Sequence, residues 1–137
     1  MAGQMGNQLY RYASLYAIGK LLKRTPVYLY NETNLLKMEE ELSKIFPNFY
    51  KRIYYLRPDF NETEKFMLIQ SCCDYVNPEI ILKTNHSTTK GLKIIGGPTL
   101  INYKYFHHLK DDILEIFKFN ESLVFNITQF WNNTKLR

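Results

Sequence analysis

Residues 8–24, QLYRYASLYAIGKLLKR, constrain this chain more than any other stretch. Leu9, Tyr12, Ala13, Tyr16 and Ala17 recur at helical spacing on one side, and Leu15, Ile18 and Leu22 cover another. A helix that is apolar nearly all round is usually a buried one. Lys20, Lys23 and Arg24 fall at its end, where cations complement the helix dipole, and Pro26 stops it. Directly ahead stands Gly3-Gln4-Met5-Gly6-Asn7-Gln8. Glycines let the backbone turn tightly and approach a ligand closely. The first amides of a helix are unsatisfied donors at its positive pole, so such a turn is a ready anion site. Asn7 is placed to cap the helix, or to reach a ligand oxygen with its amide.

The rest of the chain alternates helix and strand. Residues 27–30 read as a short strand, so the opening unit is loop, helix, strand: the second half of a βαβ unit whose first strand would precede Met1. A helix is expected over 35–46, ended by Pro47, and an aromatic strand over 50–56. A strand candidate follows within 66–75, a short helix over 78–82, and a strand over 92–95 that runs into the turn Gly96-Gly97-Pro98. Phe106, Leu109, Ile113, Ile116 and Phe117 repeat at helical spacing, giving a helix over about 103–118. The class is α/β. At 137 residues the chain is long enough for one full core and too short for two, which makes residues 1–137 a single domain.

Charge and cysteine usage remove several function classes. The net charge of +5 comes from residues 1–57, with nine Lys/Arg against four acids; residues 58–137 hold nine of each. That balance suits an anionic ligand or a moderately basic solvated surface. Lysine and arginine are dispersed, so a nucleic-acid surface is not expected. Cys72 and Cys73 are adjacent, which excludes a disulfide framework and a multi-cysteine metal site. No run approaches the roughly 18 to 20 apolar residues of a membrane span, and residues 9–22, interrupted by Arg11, make a poor signal peptide. His107 and His108, neighbours on a helix, should point apart and share no metal.

Asn-x-Ser/Thr acceptor sequences occur at Asn31, Asn61, Asn85, Asn120, Asn126 and Asn132. With 12 asparagines and 14 Ser/Thr in the chain, chance gives roughly one such match. Six of them favour a glycosylated, lumenal protein.

The run GQMGNQLYRYASLYAIGKLLKRTP resembles the opening motif of glycosyltransferase family 11, the α-1,2-fucosyltransferases, which typically reads G-x-x-G-N-Q-L-F-x-Y-A ahead of a helix. Gly97-Pro98-Thr99-Leu100-Ile101-Asn102-Tyr103-Lys104-Tyr105-Phe106, with the following HHLKDDILEIFKF, is similar to that family's Gly-Tyr-x-Gln-Ser-x-Lys-Tyr-Phe segment and the helix after it. Between them, Ile45-Phe46-Pro47-Asn48 and the stretch from Ser71 to Pro78 resemble nematode-type members.

The resemblance implies the Rossmann-like amino-terminal half of a two-domain, GT-B-like enzyme that moves L-fucose from GDP-fucose to the 2-hydroxyl of a galactoside glycan. It implies that Gly3, Gly6, Asn7 and Gln8 face the donor diphosphate and that Tyr103 and Lys104 contact the cleft. No metal or other cofactor is implied, and no catalytic residue is assigned. The family's His-x-Arg-Arg-x-Asp signature, which opens the donor-binding domain, does not occur before the chain stops at Arg137, so an incomplete form is expected. By the same resemblance the protein would work in the Golgi lumen, held to the membrane only through an anchor that this chain does not carry. The competing expectation is a catalytically inactive, glycosylated lumenal binding fragment.

Overall fold

A computed structural model describes residues 5–29, 32–57, 62–71, 74–95 and 100–134, with the backbone alone for 32–38. Helices and parallel strand pairs alternate along it, as expected for an α/β chain. The elements are α1 (Met5–Leu22), β1 (Tyr28–Leu29), α2 (Glu32–Ile45), α3 (Pro47–Tyr50), β2 (Tyr55–Leu56), β3 (Thr63–Met67), a 3-10 helix (Pro78–Lys83), β4 (Gly91–Ile95), two 3-10 turns (Tyr103–Tyr105 and His107–Leu109), α4 (Lys110–Ile116) and α5 (Glu121–Asn133). They form two compact units: Met1–Tyr30 with Tyr54–Lys110, and Asn31–Ile53 with Asp111–Arg137.

The first unit is organised around α1. Tyr12, Ala13, Ser14, Ala17, Ile18 and Gly19 are buried, so the helix is enclosed on several sides, as its all-round apolarity requires. Ile18 shares a core with Leu68, Ile69, Ile81 and Tyr105, and Phe66, Leu92, Ile94 and Leu100 pack against it. β3 and β4 pair in parallel from Thr63↔Gly91 to Met67↔Ile95, and Leu68 N–H continues the ladder onto Ile95 C=O at 2.8 Å. Parallel pairing needs a crossover, which here carries the 3-10 helix Pro78–Lys83, started by Asn77, whose side chain accepts from Glu79 N–H. β1 and β2 pair in parallel through Tyr28↔Tyr55 and Leu29↔Leu56. Tyrosine rings line this edge, with centroids 6.4 Å apart for Tyr12 and Tyr16, 6.1 Å for Tyr12 and Tyr28, and 6.3 Å for Tyr28 and Tyr55.

The end of α1 explains a glycine that periodicity leaves unremarked. Lys23 adopts φ 54°, Arg24 N–H bonds Gly19 C=O at 2.8 Å, and Lys23 N–H bonds Lys20 C=O at 3.3 Å. This is the Schellman arrangement, built with lysine where glycine usually sits. The returning chain crosses Gly19 so closely that a Cβ there would stand 2.7 Å from the Arg24 carbonyl oxygen. Arg24 lies past the helix, and its guanidinium donates to the Ser87 and Lys90 carbonyls at 2.6 and 2.8 Å.

The second unit is helical, with an aromatic core. Phe49 and Ile116 are fully buried, and Leu42 and Phe46 nearly so. Ring centroids lie 5.6 Å apart for Phe46 and Phe117, 5.1 Å for Phe46 and Phe119, and 5.3 Å for Phe49 and Phe117. Asn48 Nδ2 donates to the Glu115 carbonyl and Oε1, each at 3.1 Å, and Asn120 N–H to Ile45 C=O at 2.9 Å.

Three expected elements differ. Only Tyr55 and Leu56 of the 50–56 strand are extended, because Pro47 opens the short helix α3, which runs on to Tyr50. β3 starts at Thr63 and ends at Met67 rather than lying within 66–75. The helix expected over 103–118 is broken into two 3-10 turns and α4. Its apolar spacing is real, but tertiary contacts pin the first residues: Val76 N–H donates to the Tyr105 hydroxyl at 3.2 Å, and Phe106 meets the Tyr10 ring at a centroid distance of 5.5 Å. Phe106 accordingly sits at φ −130°, ψ −1°, outside helical geometry. In these turns His107 and His108 do not diverge, and their ring centroids are 5.7 Å apart at 80°. The turn Gly96-Gly97-Pro98 and the cysteines Cys72 and Cys73 lie outside the described residues.

Candidate functional site

The glycine-rich segment leads straight into α1. Gly3 lies outside the described residues, while Gly6, Asn7 and Gln8 fall within the first turn of the helix, which runs from Met5. Asn7 is therefore inside the helix and is not its cap, a correction to one of the two roles open to it. First-turn N–H groups have no acceptor within their own helix, and in front of Gly6 a Cβ would meet nothing within 4 Å. Gly6 is exposed and Asn7 half-buried. Gln8 differs from both, being 6% exposed with its side chain in the interior of the unit.

The second motif segment lies against the same helix. Ser14, itself fully buried, donates its hydroxyl to the Leu100 carbonyl at 2.8 Å. Tyr10, one turn beyond Gly6, packs edge-on to Phe106, and Tyr105 is buried in the core that holds Ile18. Burial raises the Tyr105 phenol above its ordinary range, partly offset by the Val76 N–H that it accepts. Tyr103 and Lys104 are exposed on the turn that follows Asn102, whose side chain accepts from Lys104 N–H at 3.1 Å. The Lys104 ammonium stands 5.6 Å from the Tyr75 ring centroid, a cation–π distance. The fold thus joins the 5–18 and 100–106 segments in one unit, with a helix start on one element and an exposed tyrosine–lysine pair on the next.

Periodicity does not reveal the other polar constellations. Thr84 Oγ1 lies 2.5 Å from His86 Nε2, and His86 Nδ1 is 3.3 Å from Glu64 Oε2, which also accepts Ser87 N–H at 3.2 Å. The Ser87 bond, then the His86 bond, hold the Glu64 carboxyl below the usual range. Thr84 donates to the Ile81 carbonyl at 2.7 Å, so its hydroxyl proton is engaged there, and the cluster fastens the 84–90 loop to β3. A concavity of about 400 Å³ lies beside the end of α1, lined by Tyr16, Gly19, Lys20, Lys23, Arg24, Thr25 and Pro26. The Tyr28 hydroxyl is buried without a hydrogen-bond partner among the described residues, and burial, with Tyr12 and Tyr55 beside it, pushes its pKa well up. Among the described residues no group of three or more His, Cys, Asp or Glu is placed to hold a metal ion, and no helix is long and apolar enough to cross a membrane.

Of the six acceptor asparagines, Asn31 and Asn61 lie outside the described residues. Asn85, Asn126 and Asn132 are exposed. Asn120 is half-buried and caps α5, its side-chain oxygen accepting Ser122 N–H at 3.0 Å.

Among known proteins the chain is similar to the candidate galactoside 2-alpha-L-fucosyltransferase svh-11 of Caenorhabditis elegans, 26% identical over 117 residues, which is 83% of this chain and 30% of that protein. It is likewise similar to a galactoside 2-alpha-L-fucosyltransferase of the same organism, 25% identical over 114 residues, 83% of this chain and 31% of the relative. The chain thus spans about a third of the length of the curated relatives it matches. No protein-family profile matches it, and no solved structure matches it significantly. The relationship is fucosyltransferase-like and distant.

Proposed function

We propose that this chain is the Rossmann-like amino-terminal part of a GT-B-like enzyme of the family 11 type, transferring L-fucose from GDP-fucose to the 2-hydroxyl of a galactoside in the Golgi lumen. In that reaction the acceptor oxygen attacks the anomeric carbon, the bond from that carbon to the diphosphate breaks, and the hydroxyl proton leaves to a base. Gly6 and Asn7 in the first turn of α1 offer amide donors to the departing diphosphate, and the resemblance adds Gly3 and Gln8 to that segment. Tyr103 and Lys104 stand on the neighbouring turn as cleft contacts. A metal is not required where amides and cations carry that charge.

The meeting of the two resembling segments carries this reading. Ser14 bonds Leu100 and Tyr10 packs on Phe106, in a chain of which 83% aligns with a fucosyltransferase-like relative. Gln8, whose side chain is buried, supports the segment by packing into the unit.

Asn7 provides the test. Because it is not the helix cap, Asn7→Asp and Asn7→Ser should fold with nearly equal stability, while only the aspartate sets a negative charge against phosphates. Calorimetric titration with GDP should show Asn7→Asp weakened by about tenfold or more relative to Asn7→Ser; equal binding by the two variants would remove Asn7 from the site. The 137-residue chain alone should give no measurable transfer from GDP-fucose, because a donor and acceptor must be held together with positioned cations on the diphosphate. Produced in a eukaryotic host as part of a lumenal protein, it should shift in gel mobility on glycosidase treatment.

A further inference from the structure

α5 is the one long helix in the second unit whose side chains are fully described, and none of them is buried. An isolated helix of this length is marginal in water, and helices in proteins are held mainly by packing of an amphipathic face. α5 has such a face: Leu123, Val124, Ile127, Phe130 and Trp131 recur at three- and four-residue spacing as one stripe. Four of them are widely exposed, Val124 and Ile127 at 48%, Trp131 at 58% and Phe130 at 62%. Val124 also lines a groove of about 420 Å³ with Leu114, Phe117, Lys118, Phe119 and Glu121, so stripe and groove are continuous.

We propose that this α4–α5 face is the surface through which two copies of the chain associate. Area and charge select that occupant. Six large side chains, Leu114, Phe119, Val124, Ile127, Phe130 and Trp131, are each about half exposed. With roughly 150–250 Å² for each aromatic side chain, the face offers on the order of 600 Å² per copy. Two copies would bury roughly 1,200 Å², the lower edge of the range for specific interfaces. Charge does not oppose this: α5 carries one ionisable side chain, Glu121, already 3.9 Å from Lys118. A self-complementary two-fold contact therefore brings from each copy a net-neutral pair, Lys118 with Glu121, beside the apolar residues. A lipid surface is the poorer match, since interfacial helices carry Lys and Arg on their polar face and α5 has neither. By helical spacing the acceptor residues Asn126 and Asn132 fall off the stripe, with Phe125, Gln129 and Asn133, so glycans there leave the apolar stripe clear.

Trp131 is the only tryptophan in the chain, so its emission reports on α5 alone. In sedimentation of the 137-residue chain from roughly 1 to 100 µM, the mass should double with a dissociation constant on the order of micromolar. Trp131 emission should move to shorter wavelength over the same range. Ile127→Asp and Val124→Asp should each weaken association by roughly 100-fold at unchanged helix content, whereas Gln129→Asp on the polar side should leave it intact. Four results would overturn the proposal. These are a monomer at every concentration, short-wavelength emission from a monomer, doubling insensitive to both aspartate variants, and an emission shift that requires phosphatidylcholine vesicles.

Discussion

Two apolar helices of this chain meet opposite fates. α1, 18 residues long, is buried along much of its length, while α5, 13 residues long, buries nothing. Residue size accounts for much of the difference. On α1 the enclosed positions include Ala13, Ser14, Ala17 and Gly19, small enough for other chain segments to come close. On α5 Leu123, Val124, Ile127, Phe130 and Trp131 form one stripe, with Ser, Asn, Gln and Thr and the single ring of Phe125 around the remainder. The first pattern suits a helix inside a core, and the second suits one laid against a flat partner. The helix ends differ as well. The chain leaving α1 is held by the Schellman bonds and by Arg24 on the 84–90 loop, which Glu64 grips from β3. α5 closes with Thr134, whose N–H and hydroxyl both reach the Phe130 carbonyl.

The most forceful way to break this comparison is to truncate the same residue type on each helix. Ile18→Ala removes a side chain that is 1% exposed and should lower unfolding free energy by about 3 kcal/mol. Ile127→Ala, at 48% exposure, should change it by less than about 0.5 kcal/mol in dilute solution. Urea unfolding of both variants, followed by circular dichroism, decides the matter, and equal losses would mean that α5 is packed as tightly as α1.

The helix ends give the next largest effect. Gly19→Ala drives a methyl to 2.7 Å from the Arg24 carbonyl oxygen, a backbone atom that cannot rotate away, and should destabilise by about 2 kcal/mol. Lys23→Gly relieves the left-handed conformation at φ 54° and should stabilise by about 1 kcal/mol. Opposite signs in thermal melts would establish the geometry of this end.

Asn120→Ala should cost about 1 kcal/mol in unglycosylated protein by removing the α5 cap, whereas Asn120→Asp should cost little because aspartate caps equally well. Both variants abolish the glycan acceptor, so any common effect in glycosylated protein belongs to the glycan.

The smallest effect is a dependence on pH. Hydrogen bonds from Ser87 and His86 lower the folded-state pKa of Glu64. Its contribution is therefore present above the unfolded-state pKa, about 4.3 for glutamate, and disappears as pH falls through the lower folded value. Urea midpoints of the parent chain should show a component of acid destabilisation below about pH 4.3 that Glu64→Gln lacks. Identical pH profiles would mean that the loop is not held through this carboxylate.

Much of the first unit was legible from residue order. The burial of α1, the strand after it, the Pro78 helix and the strand before Gly96 all follow from local periodicity and punctuation, and each appears within a few residues of its expected position. Those signals are local, and so were the elements they marked. No element is expected over residues 119–134, where acceptor asparagines interrupt the apolar stripe, although Asn120-Glu121-Ser122 is a capping sequence. Of the candidate site, the exposed Gly6 and the helix beginning beside it were readable. The burial of Gln8 was not, since the same face of α1 continues through Tyr12 into the core.

The sequence by itself determined an α/β chain with a helix apolar enough to be enclosed, glycines at the start of that helix, and an excess of acceptor asparagines. Tertiary structure alone decided that the two motif segments meet through Ser14 and Leu100, 86 residues apart. It also decided that the helix expected over 103–118 breaks at Phe106, and that Gly19 rather than Gly6 is crossed closely by backbone. The physical reason is common to all three. Periodicity records which face of an element is apolar, whereas a ring seated on Tyr10, a hydroxyl aimed at a distant carbonyl and a chain returning over a helix end depend on which other segment arrives to meet that face.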